Sequence, residues 1–288
     1  MAKQNFTNWL LFAVLSVIWG SSFILMKKSG EQLNGLQIGA MRIFAAGVSF
    51  FPFAIFHITK IPRNKLLIVI ITGLLGNFFP ALLFASAIEQ NGESSLASIL
   101  NSLTPLFVIV IGVLFFKSKV QSKKIAGVLV GFAGLVILSI SRNTSLSTDT
   151  GLLLILIATI FYGITVNLVS HYLKGIDGFK IATVSLTIMA FPAAFVLWRQ
   201  NVFSMMQYDD KVKGALAIAV LLGVTGSAIA TALYYILIQK AGGLFASLVT
   251  YAIPVVAIIW GILANENVTA VQMGCLALIL AGVYLANR

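Results

Sequence analysis

Charge is what this sequence has least of. Of its 288 residues, 9% are Asp, Glu, Lys or Arg, against 59% hydrophobic. A soluble domain carries about 25% charged residues, so a water-facing surface cannot be covered and most of the exterior must meet lipid. The mean hydropathy of +1.02 says the same. No polar stretch is long enough to fold outside a membrane, the longest connection running from Arg199 to Lys211. Cysteine is nearly absent: Cys275, inside an apolar run, excludes an internal disulfide and reads as a small packed hydrophobe. Two histidines and eight acids, the acids all between apolar runs, give no converging metal ligands or acid–base pairs. A membrane-embedded enzyme needs such a cluster, so no enzyme, metal or cofactor is expected. With no acid inside a span, a carboxylate proton relay has no support, leaving facilitated movement, exchange, or coupling through a rim acid such as Glu89. The lack of a GxxxxGK[ST] loop argues against ATP-driven transport by this chain.

Long apolar runs are what the sequence does contain. A membrane helix needs about 20 mainly apolar residues, and runs of this kind occur near 8–27, 35–57, 66–88, 94–116, 124–141, 151–172, 180–198, 214–238, 244–264 and 270–286. The fold class is therefore an all-α membrane protein of about ten spans, with connections short enough to force antiparallel neighbours. The first run lies between Lys3 and Lys27-Lys28 without a small-residue cleavage pattern, and reads as a retained span rather than a signal peptide. The net charge of +11 is no nucleic-acid signature, because the basic residues sit between spans rather than in a stripe. With the N-terminus inside, twelve Lys and Arg fall in inner segments, including Lys60, Arg63, Lys117 and Lys240, and six in outer ones, including Lys27, Lys28 and Arg199. Cytoplasmic loops retain positive charge, which predicts both termini in the cytoplasm of a bacterial-type inner membrane.

The halves repeat each other. The segment Ala97-Ser98-Ile99-Leu100-Asn101-Ser102-Leu103-Thr104-Pro105 aligns without gaps to Ala246-Ser247-Leu248-Val249-Thr250-Tyr251-Ala252-Ile253-Pro254, an offset of 149. The same offset pairs Ala81 with Ala230, Gln90 with Gln239 and Gly112 with Gly261, while Trp19-Gly20 matches Tyr162-Gly163 at an offset of 143. Copies of five spans each, 1–142 and 150–288, must enter the membrane from opposite sides. Such an inverted repeat is the recurring plan of secondary transporters, with the substrate site near the midplane between copies.

Trp19-Gly20-Ser21-Ser22-Phe23, the Pro105 and Pro254 helices, and the Gly-rich closing helices with Ala133-Gly134 and Ala281-Gly282 carry a resemblance. Over essentially its whole length the chain is similar to the two EamA repeats of the drug/metabolite transporter superfamily. The resemblance implies ten spans, inverted repeats and a central cavity, in a group with many members implicated in exporting amino acids or other metabolites. In that group each repeat usually ends its fourth helix with a Glu. Glu266 fits, whereas Lys117 stands at the equivalent place in the first half, a departure that follows the positive-inside rule in the predicted topology.

Polar groups well inside a span face the bundle or a water-filled cavity. Asn77, Asn101, Thr104, Thr165, Asn167 and Thr250 qualify, with the polar-tipped aromatics Trp19, Tyr162, Tyr234, Tyr235, Tyr251 and Trp260. They read either as a cavity whose aromatic walls grip an apolar body while amides and hydroxyls orient a polar head, or as interhelical hydrogen bonds and interface anchors. Asn101 and Thr250 occupy matching positions, as do Trp19 and Tyr162. Pro105 and Pro254 each lack an N–H and free the carbonyl four residues back, that of Asn101 or Thr250, which must find another partner. The kink is either a hinge or fixed packing. Arg42, the one basic residue deep in a span, either clamps a carboxylate bidentately or snorkels to the headgroups. His57 and His171 lie at span ends and read as interface residues. Gly127 and Gly131 have the GxxxG spacing of close helix packing, within the chain or between protomers.

The substrate-binding candidates are Trp19, Arg42, Asn77, Asn101, Tyr162, Tyr234, Thr250 and Tyr251, with Pro105 and Pro254 as hinges. The function expected is alternating-access transport, in the export direction, of a small metabolite such as an amino acid. Its partners are that small molecule and membrane lipid, not nucleic acid, and a monomer or an oligomer remains open. The alternatives are a carrier of drug-like cations, lipids or nucleotide sugars, and a membrane accessory protein that transports nothing.

Overall fold

The computed structural model describes residues 6–91, 94–117, 150–205, 210–265 and 269–287, with 126, 127, 129–131, 133, 134 and 137. The apolar runs form α1 Phe6–Ser29, α2 Gly35–Lys60, α3 Arg63–Gln90, α4 Leu96–Phe116, α5 Thr150–His171, α6 Gly178–Arg199, α7 Asp210–Ala241 and α8 Gly243–Leu263, followed by α9 Ala270–Asn287. Among the described residues these first eight are long and apolar enough to cross a membrane, and no strand occurs. Lipid offers backbone groups no partners, so a spanning chain must satisfy them within the helix. The expected fifth span, 124–141, lies largely outside the described residues, and those of its residues that are described are helical. Glu266 also lies outside them, while Lys117 ends α4 in a left-handed conformation with φ 51°. Large apolar side chains such as Phe51, Phe56, Leu114, Phe115, Phe191 and Leu263 point outward, as a lipid-facing exterior requires.

The inversion is visible where equivalent helices lie side by side. Helix α2 packs along α6 antiparallel to it: Asn34 Nδ2 donates to Gln200 Oε1 at 3.1 Å, Thr187 Oγ1 to Gly47 O at 3.2 Å, and His57 Nδ1 pairs with Thr183 Oγ1 at 2.9 Å. Their starts are capped alike. Asn34 accepts from Gln37 N ahead of α2, and Asp177 from Phe179 N and Lys180 N ahead of α6, satisfying amides that a helix start leaves open.

Glycines mark where opposite repeats touch. A Cβ on Gly20 of α1 would stand 2.5 Å from Val256 Cβ in α8, and one on Gly163 of α5 would stand 2.9 Å from the Phe107 backbone in α4. The offsets 143 and 149 relate the members of these two contacts to each other. Small residues let helix backbones approach where no hydrophobic drive separates helix from lipid. The GxxxG pair Gly127 and Gly131 packs within the chain: a Cβ on Gly282 of α9 would lie 2.5 Å from Gly127 O.

Two departures from straight helices matter for the site. Helix α4 is interrupted, its segments ending at Asn101 and resuming at Thr104, so Pro105 opens a new helix rather than kinking a continuous one. Helix α8 breaks at Leu248, and Pro254 sits inside the segment Val249–Leu263. The freed carbonyls do find partners. Asn101 O accepts from Thr104 Oγ1 at 2.8 Å, and Thr250 O from Ser102 Oγ of the other repeat at 3.2 Å. Helices α3 and α7 each carry a π-helical stretch at mid-span, Leu74–Phe78 and Leu222–Ile229. A π stretch widens the turn, shifts the hydrogen-bond ladder, and is frequent at functional sites.

Candidate functional site

The breaks and π stretches surround one cavity in the middle of the bundle, with an empty volume of about 790 Å³, mouth included. Seven helices line it: α1 to α5, α7 and α8.

Gly226, in the π stretch of α7, organises one pole. Its carbonyl accepts from Trp19 Nε1 at 2.9 Å and from Arg42 Nη2 at 3.1 Å. Arg42 Nε also donates to Ser227 Oγ at 2.6 Å, and Nη1 lies 3.7 Å from Met26 Sδ. Arg42 therefore turns into the bundle instead of snorkelling to the headgroups. A Cβ on Gly226 would stand 2.7 Å from Ser22 Oγ, so a larger residue here requires the Ser22 side chain to move.

The other pole is neutral. Asn77, in the π stretch of α3, donates to the Tyr235 hydroxyl at 3.2 Å and accepts from Thr231 Oγ1 at 2.9 Å. Gly76 beside it faces Thr165 and Tyr235. Thr165 is 3% exposed, and its hydroxyl is the one buried side-chain polar atom among the described residues without a hydrogen-bond partner. Aromatic walls join the poles: Trp19 meets Tyr234 edge-on at 4.9 Å, and Phe84 stacks on Tyr162 at 5.9 Å.

Of the candidates read from sequence, Trp19, Arg42, Asn77, Asn101, Tyr162, Tyr234 and Thr250 line this cavity, with Thr104, Thr165 and Tyr235. Tyr251 does not: it is buried in α8 away from the lining. Asn167 serves packing, donating to Val108 O and Gly163 O at 2.9 Å each and so tying α5 to α4. Trp260 donates to Ser21 Oγ at 3.0 Å between α8 and α1. His171 hydrogen-bonds to Asn167 O at 3.0 Å, beside Phe116.

The sequence reading missed Ser22, Gly76, Gly226, Ser227 and Thr231 as lining residues. Two matches between the repeats could have found four of them. Gly73-Leu74-Leu75-Gly76-Asn77 recurs as Gly223-Val224-Thr225-Gly226-Ser227, at an offset of 150 rather than 149, and Ser22 matches Thr165 at 143. The one-residue change in offset falls within the π stretches and hides the match from an ungapped alignment.

Both halves of the chain match the profile of the EamA-like transporter family, at residues 7–140 and 149–288. The chain is 29% identical over 285 residues to "Uncharacterized inner membrane transporter YedA" of Escherichia coli K12, covering 96% of this chain and 89% of that one. It is 24% identical over 282 residues to an "Uncharacterized transporter" of Archaeoglobus fulgidus, covering 98% and 99%. Over 149 residues, 51% of this chain and 48% of the other, it is 26% identical to a "Probable amino-acid metabolite efflux pump" of Salmonella typhimurium. A solved crystal structure shares the fold with a TM-score of 0.67 at 17% identity, covering 97% of this chain and 96% of that one.

Proposed function

This chain belongs to the EamA-like transporter family, and on that premise we propose that it is a secondary transporter carrying a small metabolite, such as an amino acid, through the cavity between its repeats. One observation carries the reading: the cavity is walled at matched positions of both repeats. Trp19 and Tyr162, Ser22 and Thr165, Gly76 and Gly226, Asn77 and Ser227, and Asn101 and Thr250 all line it. A site built in pairs on an inverted repeat draws on both repeats whichever face is open, as alternating access needs. Rocking about the interrupted helices α4 and α8, with Pro105 and Pro254 at the moving segments, switches the open face.

The amino-acid substrate and the export direction are supported by the printed names of relatives that match about half the chain. An inner-membrane location follows the relative from Escherichia coli, and cytoplasmic termini follow the bias of Lys and Arg toward one face. The repeats, 1–142 and 150–288, both contribute residues to the cavity lining.

The test is counterflow from proteoliposomes preloaded with a mixed pool of amino acids and metabolites, with each species leaving followed by mass spectrometry. An Asn101→Ala, Thr250→Ala double variant runs beside the native chain. Selective exit that the double variant loses is the expected result. Exit unchanged in the variant moves the substrate away from the α4 and α8 breaks, and no exit from correctly inserted protein defeats the reading.

A further inference from the structure

We infer that the cavity takes a carboxylate whose charge stands opposite Arg42, that an amino group on the cargo is not what the site reads, and that the carrier in consequence exchanges one carboxylate for another. This rests on the cavity being the transport site.

Among the described residues Arg42 is the only charged side chain in the cavity lining. Its partners are a hydroxyl, a backbone carbonyl and a thioether, none of them charged. The described acids are engaged or placed elsewhere. Glu89 accepts from Gly35 N at 2.7 Å, Asp177 caps α6, Asp210 pairs with Lys213 at 2.7 Å, and Glu31 is exposed between α1 and α2. A cation held in low dielectric without an opposite charge is costly. A chain that keeps one in its cavity receives the counter-charge from what it binds. A guanidinium has five N–H donors. Ser227, Gly226 and Met26 engage one each, leaving two, the number a carboxylate accepts in a bidentate pair.

The rest of the lining sets the body of the cargo. Trp19, Phe84, Tyr162 and Tyr234 offer faces to an apolar or aromatic group. No carboxylate among the described residues lines the cavity, so an ammonium meets no opposite charge there and gains little over a hydrogen in its place. Loading cancels the cavity's charge, whereas the empty cavity keeps an unopposed cation in the membrane. The loaded carrier then reorients at lower electrostatic cost than the empty one, and exchange outruns net efflux.

Purified full-length protein in detergent is melted with four ligands sharing one phenylethyl body: 3-phenylpropionate, its uncharged amide, phenylalanine and phenethylamine, beside shorter monocarboxylates down to propionate. The expected result is a rise in Tm with 3-phenylpropionate at least as large as with phenylalanine, and none with the amide or the amine. Arg42→Gln loses the response. Ser22→Asp, which puts a carboxylate beside Gly226 and Arg42 and satisfies the guanidinium from within, loses it too while melting no lower than native. Stabilisation by the amine or the amide equal to that by the acid overturns the inference. So does a response retained in both variants, or none to any monocarboxylate. In proteoliposomes, counterflow of 3-phenylpropionate is expected to exceed its net efflux by about tenfold or more, a gap of about 1.4 kcal/mol in barrier, and equal rates overturn exchange. Binding with no movement of any ligand defeats the transport reading and leaves the carboxylate site standing.

Discussion

The Ser102 hydroxyl in the break of α4 donates to the Thr250 carbonyl in α8 at 3.2 Å. The donor belongs to one repeat and the acceptor to the other, and the acceptor is free only because Pro254 has no N–H to offer it. The two interruptions are thus joined by a bond that neither proline-bearing helix can make for itself. Ser102→Ala leaves Thr250 O buried and unpaired, a loss of about 1–3 kcal/mol. Pro254→Ala supplies an N–H four residues on that can take the carbonyl instead. Ser102→Ala is therefore expected to lower the melting temperature in the native background and to cost much less in a Pro254→Ala background. Equal costs in both backgrounds would show that the cost does not come from an unpaired Thr250 carbonyl.

Glycine contacts between repeats separate substitutions that a sequence scan would treat alike. Gly20→Ala and Gly163→Ala push a methyl to 2.5 Å of Val256 and 2.9 Å of Phe107, and each is expected to reduce folded yield and melting temperature. Overpacking of this kind costs about 1–3 kcal/mol. Gly274→Ala meets nothing within 4 Å and is expected to be neutral or slightly stabilising, since glycine in a helix interior costs about 0.5–1 kcal/mol against alanine. Thermal melts of the three variants by size-exclusion fluorescence decide the matter.

The neutral pole hangs on Asn77, which binds Tyr235 and Thr231 at once. Asn77→Ala removes a partner from both, whereas Tyr235→Phe leaves Asn77 bonded to Thr231. The alanine variant is expected to melt lower than the phenylalanine variant, and the reverse order would mean that Tyr235 rather than Asn77 organises this wall.

Orientation is open to direct measurement. In a Cys275→Ala background, Lys28→Cys is expected to react with a membrane-impermeant maleimide on intact bacterial cells, and Lys60→Cys only after permeabilisation. The opposite pattern would invert the topology.

The spans were legible because lipid leaves a chain no choice but long apolar helices, and the runs at 35–57 and 180–198 match α2 and α6 closely. The inverted repeat was legible because Ala97-Ser98 and Pro105 recur at one offset as Ala246-Ser247 and Pro254. The helix breaks were only half legible. The prolines pointed to freed carbonyls, but a proline is compatible with a place inside a helix, as at Pro254, or with the first turn of a new helix, as at Pro105. The direction of Arg42 could not be read, since a guanidinium seven residues from a span end reaches either headgroups or bundle centre. What turns it inward is the Gly226 carbonyl, which belongs to a helix distant in sequence. The π stretches left no trace in the apolar pattern beyond a one-residue slip between repeats.

The bonds running down α2 and α6, from Asn34 and Gln200 past Gly47 and Thr187 to His57 and Thr183, bear on how the molecule moves. A pair stitched at both ends and in the middle cannot splay at either. It behaves as the spine of a book, while the broken helices α4 and α8 lie among the pages. Amide hydrogens of α2 and α6 should then exchange with solvent deuterium slowly in every state of the cycle, and protection that comes and goes should be confined to the helices facing them across the cavity.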